Sequence, residues 1–167
     1  MTNTLICLLF LSFSFSISAQ NCSDWIENKY DDVSGITIKS MKDRLYINKD
    51  GQRKVSIFIA QKIEDGEKEM VLTIDIKDGG CINNQNGIIF LFTDGSRLKE
   101  LNHSSDNCVG FAMLNLGISD YDGNTIRSYL VQKKIKTLRV YTNNTFVQVD
   151  FTELNQEKLM NTLRCID

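Results

Sequence analysis

Val55-Ser56-Ile57-Phe58-Ile59, Glu64-Asp65-Gly66-Glu67 and Met70-Val71-Leu72-Thr73-Ile74-Asp75-Ile76 decide the fold. Val55, Ile57 and Ile59 alternate with Lys54, Ser56 and Phe58, the period of two that gives a strand one buried face. The second run alternates in the same way. Between them stands an Asp-Gly pair, a strong signal for a tight hairpin turn. Residues 55–76 alone therefore predict two antiparallel strands.

The pattern extends outward in both directions. Alternation starts at Ile36 and Ile38 and continues through Leu45 and Ile47, where Lys49-Asp50-Gly51-Gln52 repeats the hairpin signal. Downstream, Asp78-Gly79-Gly80-Cys81 opens a polar loop. Gly87-Ile88-Ile89-Phe90-Leu91-Phe92 is a continuous apolar run of strand length, which predicts a central strand buried on both faces. Asp94-Gly95 turns the chain, Asn102 to Asn107 reads as a polar loop, and Val109 to Leu116 as a further strand. Asn124 is placed to cap a helix from Thr125 to Lys133, with Ile126, Tyr129 and Leu130 on one face and Lys133-Lys134 at the end that favours cations. Ile135 to Tyr141 and Phe146 to Val149 read as a hairpin turned at Asn143-Asn144. Asn155 is placed to cap a last helix with Leu159, Met160 and Leu163 inward. The expectation is an α+β domain with a largely antiparallel sheet, a meander of about six to seven strands, and two helices near the C-terminus.

Residues Met1 to Ala19 carry the pattern of a cleavable signal peptide. Leu5 to Ile17 is apolar, too short for the roughly 20 residues that a spanning helix needs. It ends in Ser18-Ala19 before Gln20, a small-residue exit. Met1-Thr2-Asn3-Thr4 contains no Lys or Arg, so only the amino terminus supplies the positive charge usual there. Cys22 follows Ala19-Gln20-Asn21, which is not a lipid-attachment spacing. The segment 20–167 is then one exported domain, periplasmic or extracellular, of a size that buries a core. No long apolar run follows the signal, so no transmembrane segment is expected in the mature chain.

Nineteen Lys and Arg against 21 Asp and Glu leave a net charge of -2. That balance argues against a nucleic-acid partner, which calls for a basic stripe. Proline is absent, which excludes proline-rich linkers. Of five cysteines, Cys7 leaves with the signal. Cys22, Cys81, Cys108 and Cys165 remain, an even number suited to an oxidising compartment. Four cysteines permit three pairings. Cys22–Cys165, tying the chain ends, and Cys81–Cys108, closing a polar loop, are favoured, each contributing about 3–5 kcal/mol in the chain-entropy model. Free buried thiols are the alternative. No C-x-x-C pair exists and His103 is the single histidine, which argues against zinc.

Several segments carry a resemblance. Asp32-Val33-Ser34-Gly35, Phe92-Thr93-Asp94-Gly95, Lys133-Lys134-Ile135-Lys136-Thr137-Leu138-Arg139-Val140-Tyr141 and Leu159-Met160-Asn161-Thr162-Leu163-Arg164-Cys165-Ile166 resemble small exported proteins of Bacteroidetes-type bacteria that have no assigned function. Gln20 directly after the cleavage site fits such signals. The resemblance spans most of the mature chain and rests on turns and core positions, so it implies fold and location only. The four mature cysteines depart from it.

Candidate chemistry is sparse. Asp120-Tyr121-Asp122-Gly123-Asn124-Thr125 puts oxygen ligands at the first, third and fifth positions of a calcium loop, but Thr125 replaces its glycine and Val131 its final glutamate. An acidic turn before a helix is the simpler reading. His103 is the one candidate general base, with Asp94 and Asp106 in the same loop region, yet no G-x-S-x-G elbow accompanies Ser104 and Ser105. Asn21, Asn102 and Asn143 each begin an N-glycosylation pattern, meaningful only in a eukaryote. No carboxylate pair stands out for glycoside hydrolysis. No catalytic residue and no cofactor or metal is expected. The sequence thus reads as a binding or interaction module for an unidentified protein or small molecule. An inhibitor or immunity-type protein against a secreted enzyme is the first alternative, and a small hydrolase the second.

Overall fold

The computed structural model describes residues 21–49, 52–117 and 123–166. The signal-like segment, the Asp50-Gly51 turn and the Asp120-Tyr121-Asp122 part of the calcium-like loop lie outside the described residues. After a short 3-10 turn at Cys22–Asp24 come ten strands: β1 (Ile26–Asp31), β2 (Ile36–Met41), β3 (Leu45–Lys49), β4 (Gln52–Glu64), β5 (Glu67–Ile76), β6 (Gly87–Phe92), β7 (Arg97–Leu101), β8 (Phe111–Asn115), β9 (Ile135–Tyr141) and β10 (Phe146–Asp150). Helix α1 (Ile126–Gln132) precedes β9, and α2 (Glu153–Cys165) follows β10.

The class is α+β and the pairing is antiparallel throughout, but the strands do not form one meander. They divide between a six-stranded sheet, ordered β1-β2-β4-β5-β8 with β3 also on β4, and a four-stranded sheet ordered β10-β9-β6-β7. The division has a local cause. After β5 the chain turns at Asp78 and Gly80, both at positive φ, and β6 opens a second sheet instead of pairing with β5. Two strands escape the hydrophobic pattern because burial barely constrains them. β1 (Ile-Glu-Asn-Lys-Tyr-Asp) and β7 (Arg-Leu-Lys-Glu-Leu) are mostly exposed, so burial imposes little alternation on them.

The hairpin that decides the fold is longer than its apolar alternation. β4 and β5 pair from Val55 opposite Ile76 to Glu64 opposite Glu67. Asp65 (φ 51°) and Gly66 (φ 83°) are the two turn residues. Positive φ at both positions is the primed turn whose twist matches paired strands.

The buried residues of both sheets and both helices form one cluster. Ile57, Ile59, Leu72, Ile74 and Leu114 face it from the large sheet, and Ile88, Phe90, Phe92, Leu138 and Val140 from the small one. Burying each such side chain stabilises the fold by about 1.5–3 kcal/mol. Helix α2 packs on α1, β3 and the first turn, with Leu159 and Leu163 inward. Met160, expected inward, is half-buried, and Gln156 and Thr162 are buried instead. Both helices start elsewhere than expected. Thr125, not Asn124, caps α1 by accepting from the Ser128 N–H (3.1 Å), and Thr152 caps α2 by accepting from the Asn155 N–H (3.2 Å). Asn155 thus lies three residues inside the cap, on the N–H that the cap satisfies.

Disulfides join Cys22 to Cys165 and Cys81 to Cys108. The first fastens the 3-10 turn to the end of α2. The second fastens the loop after β5 to the approach to β8.

Candidate binding groove on the small sheet

The residues singled out for chemistry are spread apart. His103 is built into the edge of the large sheet. Its backbone N–H donates to the Met113 carbonyl (2.8 Å), and its Nδ1 accepts from the Asn115 N–H (3.2 Å). Asn102 Oδ1 accepts from the Met113 N–H (2.9 Å), and Asn107 Oδ1 from the Phe111 N–H (3.0 Å). The polar segment 102–107 is therefore a set of side-chain caps for β8, standing where a further strand would pair. Asp94 sits at the opposite end of β7, bonded to Ser96 and Lys133, so it is no partner for His103. Among the described residues no three His, Cys, Asp or Glu side chains converge as a metal site would require. Of the glycosylation patterns, Asn102 is 1% exposed and closed to modification in the folded chain, whereas Asn21 and Asn143 are exposed.

The outer face of the small sheet is where unlike groups converge. Register places Gln148, Arg139, Ile89 and Lys99 in one cross-strand row, and Asp150, Thr137, Leu91 and Arg97 in the next. A third row holds Phe146 and Tyr141 with Gly87 and Leu101. Eight of these residues, Ile89, Leu91, Arg97, Lys99, Thr137, Arg139, Tyr141 and Gln148, line a groove of about 400 Å³. Its floor is Ile89 and Leu91. One wall is Arg139 with Tyr141, and the other is Lys99 with Arg97. Two strand spacings set the walls about 10 Å apart. The run Gly87–Phe92 is thus central in its sheet but buried on one face only. Ile88, Phe90 and Phe92 fill the core, while Ile89 and Leu91 are half-buried in the groove.

Arg139 is held rigidly without being neutralised. Its Nε and Nη2 donate to Gln148 Oε1 (3.0 and 2.6 Å), and its Nη1 donates to the Tyr141 hydroxyl (3.3 Å). The guanidinium lies 4.3 Å from the centre of the Phe146 ring. All these partners are neutral. Three of its five N–H groups are used, which leaves two for a ligand. Thr137 donates to Asp150 Oδ1 (2.6 Å), occupying the one acid on this face. Among the described residues Arg97, Lys99 and Arg139 make no ion pair, whereas the large sheet pairs Lys29 with Glu27, Arg44 with Asp75 and Lys62 with Glu64. In a chain with more acid than base, this face is locally cationic.

A positioned guanidinium flanked by two further cations over an apolar floor suits an anion attached to an apolar or extended body. The residues lining the groove include no His, Cys, Asp or Glu. Sequence reading missed it because the wall residues come from three strands. Arg97 and Lys99 alternate with Leu98, and Arg139 with Leu138 and Val140, so each strand shows its own polarity. Only the pairing of β6 with β9 brings the cations together. Comparison with family models, with curated proteins and with solved structures finds no match to this chain.

Proposed function

We propose that this chain is an exported, non-catalytic binding module that holds an anionic partner on the outer face of its small sheet. The observation that carries this reading is Arg139, fixed by the neutral Gln148 and Tyr141 and left uncompensated beside Lys99 and Arg97. Export is supported by the signal-like residues 1–19 and by two disulfides, which persist in oxidising compartments. Among the described residues no helix is long and apolar enough to cross a membrane. The resemblance to exported proteins of Bacteroidetes-type bacteria points to the same location.

The test is titration of the purified full-length chain with two polyanions, polyglutamate and polygalacturonate, at low and at physiological salt. Binding to at least one is expected, weaker at higher salt because exposed charges are screened. The variant Arg97→Gln/Lys99→Gln/Arg139→Gln is expected to lose it. Absence of binding to both polymers at low salt would overturn the reading.

A further inference from the structure

The chain treats its sheet edges unequally. On β8 the outward N–H groups of Phe111, Met113 and Asn115 are capped by Asn107, Asn102 and His103. The Met113 carbonyl is taken by the His103 N–H, and the Phe111 carbonyl by Asn107 Nδ2 (2.8 Å). That edge is sealed.

β7, one of the two terminal strands of the small sheet, is open. The Phe92 N–H donates to the Ser96 carbonyl and the Asn102 N–H to the Asn86 carbonyl, both at 3.0 Å. Counting inward along the register makes Phe90–Leu98 and Ile88–Glu100 hydrogen-bonded pairs of the same kind. In an antiparallel ladder the bonded and non-bonded pairs alternate. Arg97, Lys99 and Leu101 therefore turn their backbone N–H and C=O groups away from β6. No described residue bonds to them, and all three residues are exposed, Leu101 at 57%. Their side chains stand on the groove face.

From this edge we infer that β7 accepts an acidic peptide strand, added antiparallel to the small sheet. This rests on the reading of the groove as an anion site and names its partner. A strand paired there would present alternate side chains directly beside Leu101, Lys99 and Arg97. The matching pattern, read from its own N-terminus, is apolar–x–acid–x–acid. Cross-strand neighbours sit about 4.5–5.5 Å apart at Cβ, close enough for each acid to meet one cation. The same cations oppose pairing of β7 with β7 of a second copy, since like charges directly opposite destabilise. Main-chain ladder bonds would supply affinity, and the cations and Leu101 would supply selectivity. A polysaccharide offers the charges without the ladder, so the observations favour a peptide.

The test uses a fluorescent heptapeptide of that pattern, the same peptide N-methylated at the amides that would face β7, and polygalacturonate, each titrated into the full-length chain. The patterned peptide is expected to bind, and N-methylation to cost about tenfold or more in affinity, because each blocked amide loses a ladder bond. Bound peptide should protect the amides of Arg97, Lys99 and Leu101 from hydrogen exchange. Arg97→Glu/Lys99→Glu should abolish binding. Should that variant fail to fold, the N-methyl comparison still decides the matter on the unaltered protein. Equal binding of the N-methylated peptide, or binding of polygalacturonate but not of the peptide, would overturn the edge proposal and leave the groove reading standing. No binding of peptide or polygalacturonate at low salt would overturn both.

Discussion

Asn102 is 1% exposed, and both ends of its side chain are in use. Its Oδ1 accepts from the Ser104 and Met113 N–H groups (3.0 and 2.9 Å), and its Nδ2 donates to the Asn83 carbonyl and Ser104 Oγ (3.0 and 2.9 Å). Asn102→Ala strands several buried groups at once, and one buried unsatisfied group costs about 1–3 kcal/mol. A loss of about 2–4 kcal/mol in urea unfolding is expected. A loss below about 0.5 kcal/mol, the scale of surface substitutions, would show that the network is dispensable. Asp94 makes a pH prediction. The Ser96 hydroxyl, then the Ser96 N–H, then Lys133 bring its carboxyl from the ordinary 3.8 down to about 2. A depressed folded-state value means that the ionised form favours the fold. That contribution is complete above 3.8 and is lost as pH falls toward about 2. The stability difference between the native chain and Asp94→Asn should therefore shrink across that window, and a constant difference would refute the assignment. Neither role was legible in the sequence. The polarity of 102–107 announces a loop, but no spacing says that the loop lies along β8 and feeds its N–H groups.

Elements with a strong period were legible, and those whose burial is slight were not. The alternation in β4 and β5 marks both strands because one face of each is wholly inside. β1 and β7 lack that constraint, being mostly exposed, and the apolar run of β6 misleads because Ile89 and Leu91 floor a groove instead of a second core. The groove could not be read from any one strand, since β9 reaches β6 across more than 40 residues of intervening chain. Loop geometry has a similar limit. Gly110 lies at φ +75°, and a Cβ there would stand 2.3 Å from the Ile76 carbonyl oxygen. Its own carbonyl accepts from the Ile76 N–H (2.8 Å), so the glycine sets how β8 enters beside β5. Gly110→Ala combines left-handed strain with a backbone overlap that cannot relax cheaply. The expected loss is about 3–5 kcal/mol, read from the urea midpoint. Thr152→Ala, which removes only the cap of α2, should cost about 1 kcal/mol. If the two substitutions cost the same, the close approach at Ile76 is not limiting.

At the scale of the molecule, the two disulfides constrain different things. Cys22–Cys165 spans 143 residues and Cys81–Cys108 spans 27. In the chain-entropy model their removal costs about 5 and about 3.5 kcal/mol respectively, because a longer closed loop restricts the unfolded chain more. The native state modifies that order. Cys22–Cys165 fastens a short 3-10 turn to a helix already anchored by Leu159 and Leu163, so the folded structure should survive its loss. Cys81–Cys108 lies next to the bridge between Ile82 and Asn107, and Asn107 caps Phe111 at the start of β8. Its loss should loosen the capping segment before the core unfolds. Two variants separate the effects. Cys22→Ser/Cys165→Ala should lower the urea midpoint more, with amide exchange rising uniformly through global unfolding. Cys81→Ala/Cys108→Ala should lower it less, but should speed exchange selectively at Phe111 and Met113, whose N–H groups rely on Asn107 and Asn102. If exchange at those two amides stays tied to global unfolding in the second variant, the disulfide does not brace the β8 edge. The seal would then rest on the asparagine network alone.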